Sequence, residues 1–104
     1  MDVKVTGRHV EITDAIREYA ITRTAKLPKY FDRVKGVDVI ADKKDHTYDV
    51  EIRVQADRHE PFIAQVAGKD LYACIDTAID KLERQLTDHK GKIRDHKGRT
   101  SMSG

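Results

Sequence analysis

The sequence predicts an α+β fold in the order β-α-β-β-β-α, a four-stranded sheet with two helices on one face. Three observations carry this. The stretch "TYDVEIRVQAD" alternates apolar and polar residues without a break, as a strand with one buried and one wet face does. Two other stretches, starting at Ile12 and Leu71, repeat their apolar residues at helical spacing. A chain of 104 residues has room for one domain, so both helical stripes must be buried on the same sheet.

The elements follow in order. In "VKVTGRHV" Val3 and Val5 alternate with polar neighbours until Gly7, which predicts a short half-buried strand. The first helix starts behind Thr13 as N-cap, with Asp14 in the first turn, where the helix dipole favours a negative charge. Its stripe runs Ile16, Ala20, Leu27 and Phe31. Thr24 stands where that stripe favours a large apolar residue, which predicts looser packing. Pro28 lacks a backbone donor and disfavours helical geometry at Leu27, so a kink or break is predicted there, with "PKYFD" as a last or separate turn.

"VDVIAD", around Val37 to Ala41, predicts a second strand, and Tyr48, Val50, Ile52, Val54 and Ala56 face inward on a third. One wet face suits an antiparallel sheet covered on one side only. The turn "DRHEP" leads to "FIAQVAG", with Phe62, Ala64 and Val66 inward. Asp70 then caps a second helix whose stripe is Leu71, Ile75, Ala78, Ile79, Leu82, Leu86 and Ile93. Gly91 is the predicted stop. Residues 1–95 form the expected domain, and 96–104 a polar, basic tail expected to be disordered.

Composition narrows the function. Apolar residues make up 38% and charged residues 37%, enough for a small core under a densely ionic surface. No apolar stretch is long enough to cross a bilayer and no signal peptide is legible, so a cytoplasmic protein without membrane contact is expected. Cys74 is the single cysteine; it lies at the edge of a helical stripe with no His or cationic cluster beside it, a structural position. His9, His46, His59, His89 and His96 form no His-x-x-x-His pair, and the two copies of Asp-His-Lys-Gly near the end offer too few ligands for a tight zinc site. The Gly-containing stretches lack the further glycines of a phosphate-binding loop. No catalysis, metal or cofactor is expected.

Charge distribution points elsewhere. Residues 81–99 hold seven Lys or Arg against three acids, a net of +4, so the remainder of a chain of net charge +2 sums to −2. On a helical wheel Asp76, Asp80 and Glu83 share one flank of the second stripe, and Lys81, Arg84, Gln85 and Lys92 the other. Arg23, Lys26, Lys29 and Arg33 gather on one side of the first helix. Side by side, the helices could merge these into one basic surface that lands on phosphate. The alternative is a set of ordinary solvating i, i+4 pairs, worth about 0.2–0.5 kcal/mol each.

"DLYACIDTAIDKLERQLTDHKGK", with "VKVTGRHVEITDAIREYA" and "AKLPKYFDR", resembles the family of ribosome hibernation-promoting factors, also called ribosome-associated inhibitors or sigma-factor modulation proteins. The likeness covers residues 1 to about 95. It implies the same β-α-β-β-β-α fold and binding to the small ribosomal subunit near the decoding centre. A factor lodged there blocks the messenger and transfer RNA sites and silences idle ribosomes in stress or stationary phase. It further implies ribosomal RNA contacts by Arg23, Lys26, Lys29, Lys81, Arg84, Gln85, His89, Lys90 and Lys92, no cofactor, and a monomer off the ribosome. The end at Gly104 fits the short form of the family. A general double-stranded RNA module and a partner-binding transcription regulator are the competing readings.

Overall fold

The computed structural model describes residues 1–98, with side chains as far as His89. Its elements are β1 (Asp2–Arg8), α1 (Asp14–Thr24), a 3₁₀ turn (Leu27–Lys29), β2 (Val34–Lys44), β3 (Thr47–Ala56), β4 (His59–Gly68) and α2 (Leu71–Gly98). The order is the predicted one. The sheet runs β1-β2-β3-β4, with β2-β3 and β3-β4 antiparallel but β1 parallel to β2. This corrects the antiparallel expectation: α1 carries the chain back across one face before β2 begins, and such a crossover returns the next strand in the same direction.

Register explains the core. Val5, Val39, Ile52 and Ala64 lie side by side across all four strands, flanked by the row Val3, Val37, Val54 and Phe62. These rows face the helices, where Ile75, Ile79, Leu82 and Leu86 of α2 are almost wholly buried. A third row ends in Gly7, opposite Ala41. There the loop after β1 folds back so closely that a Cβ on Gly7 would collide with the Val10 carbonyl oxygen and lie 2.9 Å from Ile12 Cγ1.

Both predicted helix starts are present. Thr13 Oγ1 accepts a hydrogen bond from the Ile16 amide at 3.2 Å, and Asp70 Oδ1 accepts from the Tyr72 and Ala73 amides at 3.0 and 3.4 Å. α1 stops at Thr24, three residues earlier than its apolar spacing suggests. Leu27 and Phe31 still reach the core, but from the 3₁₀ turn and the segment after it. Pro28 sits inside that turn, where no intrahelical donor is required of it. Thr24 is not loosely packed: it is fully buried, and its hydroxyl donates to the Ala20 carbonyl at 2.8 Å. That back-bond satisfies the one polar group a core would reject.

The β3-β4 turn is tighter than "DRHEP" suggests. Only Asp57 and Arg58 form it, with Arg58 at a positive φ of 57°, and β4 begins at His59. Pro61 is tolerated because β4 is an edge strand, where a missing donor can face outward. Gly91 does not end α2, which continues to Gly98. A glycine stop needs the left-handed conformation, and no described glycine has a positive φ; within a helix a glycine costs only about 1 kcal/mol. The first residues of the predicted tail are therefore helical, and residues 99–104 lie outside the described residues.

Candidate nucleic-acid interface

The two helices do not simply merge their basic sides. Arg23 and Lys26 face the acidic flank of α2: Arg23 Nε donates to Asp76 Oδ1 at 2.9 Å, and Lys26 Nζ pairs with Glu83 Oε2 at 2.5 Å. Each pair raises the pKa of its cation, chiefly through the hydrogen bond to the carboxylate. Tyr19 joins the first pair, its hydroxyl donating to both oxygens of Asp76 at 2.7 and 2.8 Å. That bond, then burial, pushes the Tyr19 phenol above its ordinary value. Two ion pairs thus link α1 and the turn after it to α2, and both α1-side cations share their charge with an acid.

On the opposite flank of α2 the side chains lean over the open edge of β4. Gln85 Nε2 donates to the Ile63 carbonyl at 2.9 Å, and Lys81 Nζ reaches the Gln65 carbonyl at 3.4 Å. Edge carbonyls left bare invite pairing with another strand, so these two residues also seal the sheet. Arg84 stands between the flanks. With Tyr30, Asp80, Glu83, Thr87 and Asp88 it lines a shallow depression of about 380 Å³. Lys29 and Arg84 are exposed, and their side chains form no ion pair among the described residues.

His89 lies elsewhere than with the basic flank. It is half-buried among rings, with centroids 5.2 Å from Phe31, 5.5 Å from Phe62 and 4.5 Å from His59. The signal was available: His89 follows Leu82 by seven residues and so shares its inward face. The side chains of Lys90 and Lys92 lie outside the described residues. Sequence reasoning also missed an aromatic pair between the helices, Tyr72 meeting Tyr19 edge to face at 4.9 Å. The Arg23 guanidinium lies 5.5 Å from the centre of the same Tyr19 ring.

Among the described residues no cluster of three His, Cys, Asp or Glu is placed to hold a metal ion. No helix of the described residues is long and apolar enough to cross a membrane.

Known proteins share both sequence and fold with this chain. The family described as "Sigma 54 modulation protein / S30EA ribosomal protein" matches residues 3–94. A ribosome hibernation promoting factor of Escherichia coli (strain K12) is 44% identical over 98 residues, covering 92% of this chain and 100% of the relative. One from Pseudomonas putida is 37% identical over 92 residues, covering 88% and 89%. Among solved structures, a ribosomal subunit interface protein from Coxiella burnetii superposes with a TM-score of 0.80 at 25% identity, covering 88% of this chain and 99% of the other. The N-terminal domain of Thermus thermophilus Protein Y superposes with a TM-score of 0.77 at 34% identity, covering 86% and 99%. A match of this length reaches every strand and both helices, all but the last residues of α2 among them, and on it the chain belongs to the sigma 54 modulation protein / S30EA ribosomal protein family.

Proposed function

We propose that this protein is a ribosome hibernation factor that binds the small subunit near the decoding centre and occupies space needed by messenger and transfer RNA. The observation that supports this most is the match to a hibernation promoting factor along that relative's whole length. The contact surface is the outer side of α2 and the end of α1. Arg84 and Lys29 meet phosphate without giving up an acidic partner. Lys81 exchanges a long bond to a strand carbonyl for a phosphate, and Arg23 and Lys26 offer their remaining donors; Lys90 and Lys92 join the proposal on the family likeness alone. Each such contact gains affinity by releasing counterions. Gln85 and His89 contribute on this reading through their packing on β4 and on the aromatic rings, which holds the helix in place. The factor works in the cytoplasm as a monomer off the ribosome and carries out no reaction.

Sedimentation with purified subunits tests the proposal. The protein should travel with the small subunit, and log affinity should fall against log salt with a slope of about −0.7 per phosphate contact. Lys81→Ala with Arg84→Ala should weaken association at least about tenfold, as loss of two phosphate contacts does, and make the slope shallower. In cell-free translation the protein should suppress initiation on vacant ribosomes and spare those already loaded with messenger and initiator transfer RNA. Equal suppression of both would count against steric blockage. Equal binding to free duplex RNA would favour a general duplex binder, and absence from ribosomes altogether a transcriptional partner.

A further inference from the structure

Tyr72 leaves 39% of its surface exposed although it is a large aromatic residue, and its setting is unusually fixed. Its ring rests on Tyr19 at an interplanar angle of 84°. Tyr19 is tied by its hydroxyl to both oxygens of Asp76, and Asp76 also accepts from Arg23 Nε. Each group thereby orients the next. The bond to Asp76 occupies only Nε, so the two terminal nitrogens of Arg23 remain for another acceptor, and 43% of that side chain is exposed.

The result is a part-exposed aromatic ring and a guanidinium fork held by Asp76, each in contact with the Tyr19 ring, at 4.9 and 5.5 Å. A nucleobase stacks on an aromatic face, and a phosphate accepts from a planar fork. Acids border the place: Glu18 lies beside Tyr19 and Arg23 on α1, while Asp70 acts on the Tyr19 phenol and Asp80 on Arg23. Such a rim disfavours a run of phosphates, as on a duplex. We propose that Tyr72 and Arg23 form a subsite for a single unpaired nucleotide, its base on Tyr72 and its phosphate on Arg23, with Tyr19 and Asp76 as positioning residues. This rests on the RNA-binding reading above and adds a base contact to it.

The test separates stacking from charge. Affinity for small subunits is measured against salt for the wild type, Tyr72→Ala, Tyr72→Phe, Arg23→Ala and the Lys81→Ala, Arg84→Ala pair, each at a temperature well below its melting point. Tyr72→Ala should bind about 5- to 100-fold more weakly with an unchanged salt slope, because stacking releases no counterion. Tyr72→Phe keeps the ring and should stay close to wild type. Arg23→Ala should weaken binding and make the slope shallower by about 0.7. In a second measurement without ribosomes, a single-stranded hexaadenylate should shift the NMR signals of the Tyr72 ring, and a six-base-pair RNA duplex should not. Wild-type affinity in Tyr72→Ala, or an equal loss in Tyr72→Phe, overturns the subsite. Should the wild type itself fail to bind small subunits, the ribosome reading has failed by itself; the hexaadenylate shift then upholds the subsite, and its absence overturns it.

Discussion

Asp76 meets Arg23 and Tyr19 across 53 and 57 positions of chain, and this separation explains why their network was invisible in the sequence. Caps such as Thr13 and Asp70 are local and could be read, because donor and acceptor lie within three residues. An ion pair between helices depends on how they pack, which spacing within either helix does not encode. The network has a pH signature. Tyr19 in the folded protein holds its proton above the ordinary 10.0, so its contribution to stability is complete below about pH 10 and is lost as pH rises through the folded value. The stability difference between wild type and Tyr19→Phe should therefore stay constant from neutral pH to about pH 10 and shrink beyond it, as read by urea unfolding at each pH. Cys74 makes a second residue-scale prediction. It is buried against Gly68, where a Cβ would come within 3.0 Å of the sulfur, and burial raises its thiol pKa. A thiol reagent at pH 8 should modify it at least about 1,000-fold more slowly than free cysteine, since reaction must wait for the fold to open.

At the scale of elements, periodicity succeeded where one face is wholly buried and failed where the backbone changes course. β3 and the stripe of α2 were legible because burial is strict, with Val50, Ile52, Val54, Leu82 and Leu86 all at 0% exposure. Leu27 and Phe31 continue the spacing of Ala20, yet Thr24 ends α1; the break predicted at Pro28 is present as a separate 3₁₀ turn, and that turn and the segment after it deliver the two side chains to the core. The basic face was legible as charge but not as geometry: nothing in "DKLERQL" says that Lys81 and Gln85 reach strand carbonyls. These two kinds of contact should differ in strength. Leu82→Ala opens a cavity under α2 and should cost about 2–5 kcal/mol in urea unfolding. Gln85→Ala lets water replace the bond to Ile63 and should cost about 0.5–1.5 kcal/mol, with faster hydrogen exchange confined to the segment around β4.

For the molecule as a whole, two antiparallel hairpins and one parallel crossover make an unequal partnership. The hairpin turns between β2 and β3 and between β3 and β4 each span two residues, so these strands can meet at little cost in chain entropy. β1 must instead wait until α1 and the 3₁₀ turn have formed a loop long enough to reach β2, with register running from Asp2 opposite Gly36 to Arg8 opposite Asp42. Non-local pairings of this kind delay folding. Conservative core substitutions should reveal the difference: Val54→Ala should slow refolding, whereas Val5→Ala should mainly speed unfolding. For a nascent chain the order of synthesis and the order of assembly are then reversed at this point. β1 leaves the peptide tunnel before its neighbour and stays single, its edge available to other chains and to chaperones, until residues 36–42 have emerged to pair with it.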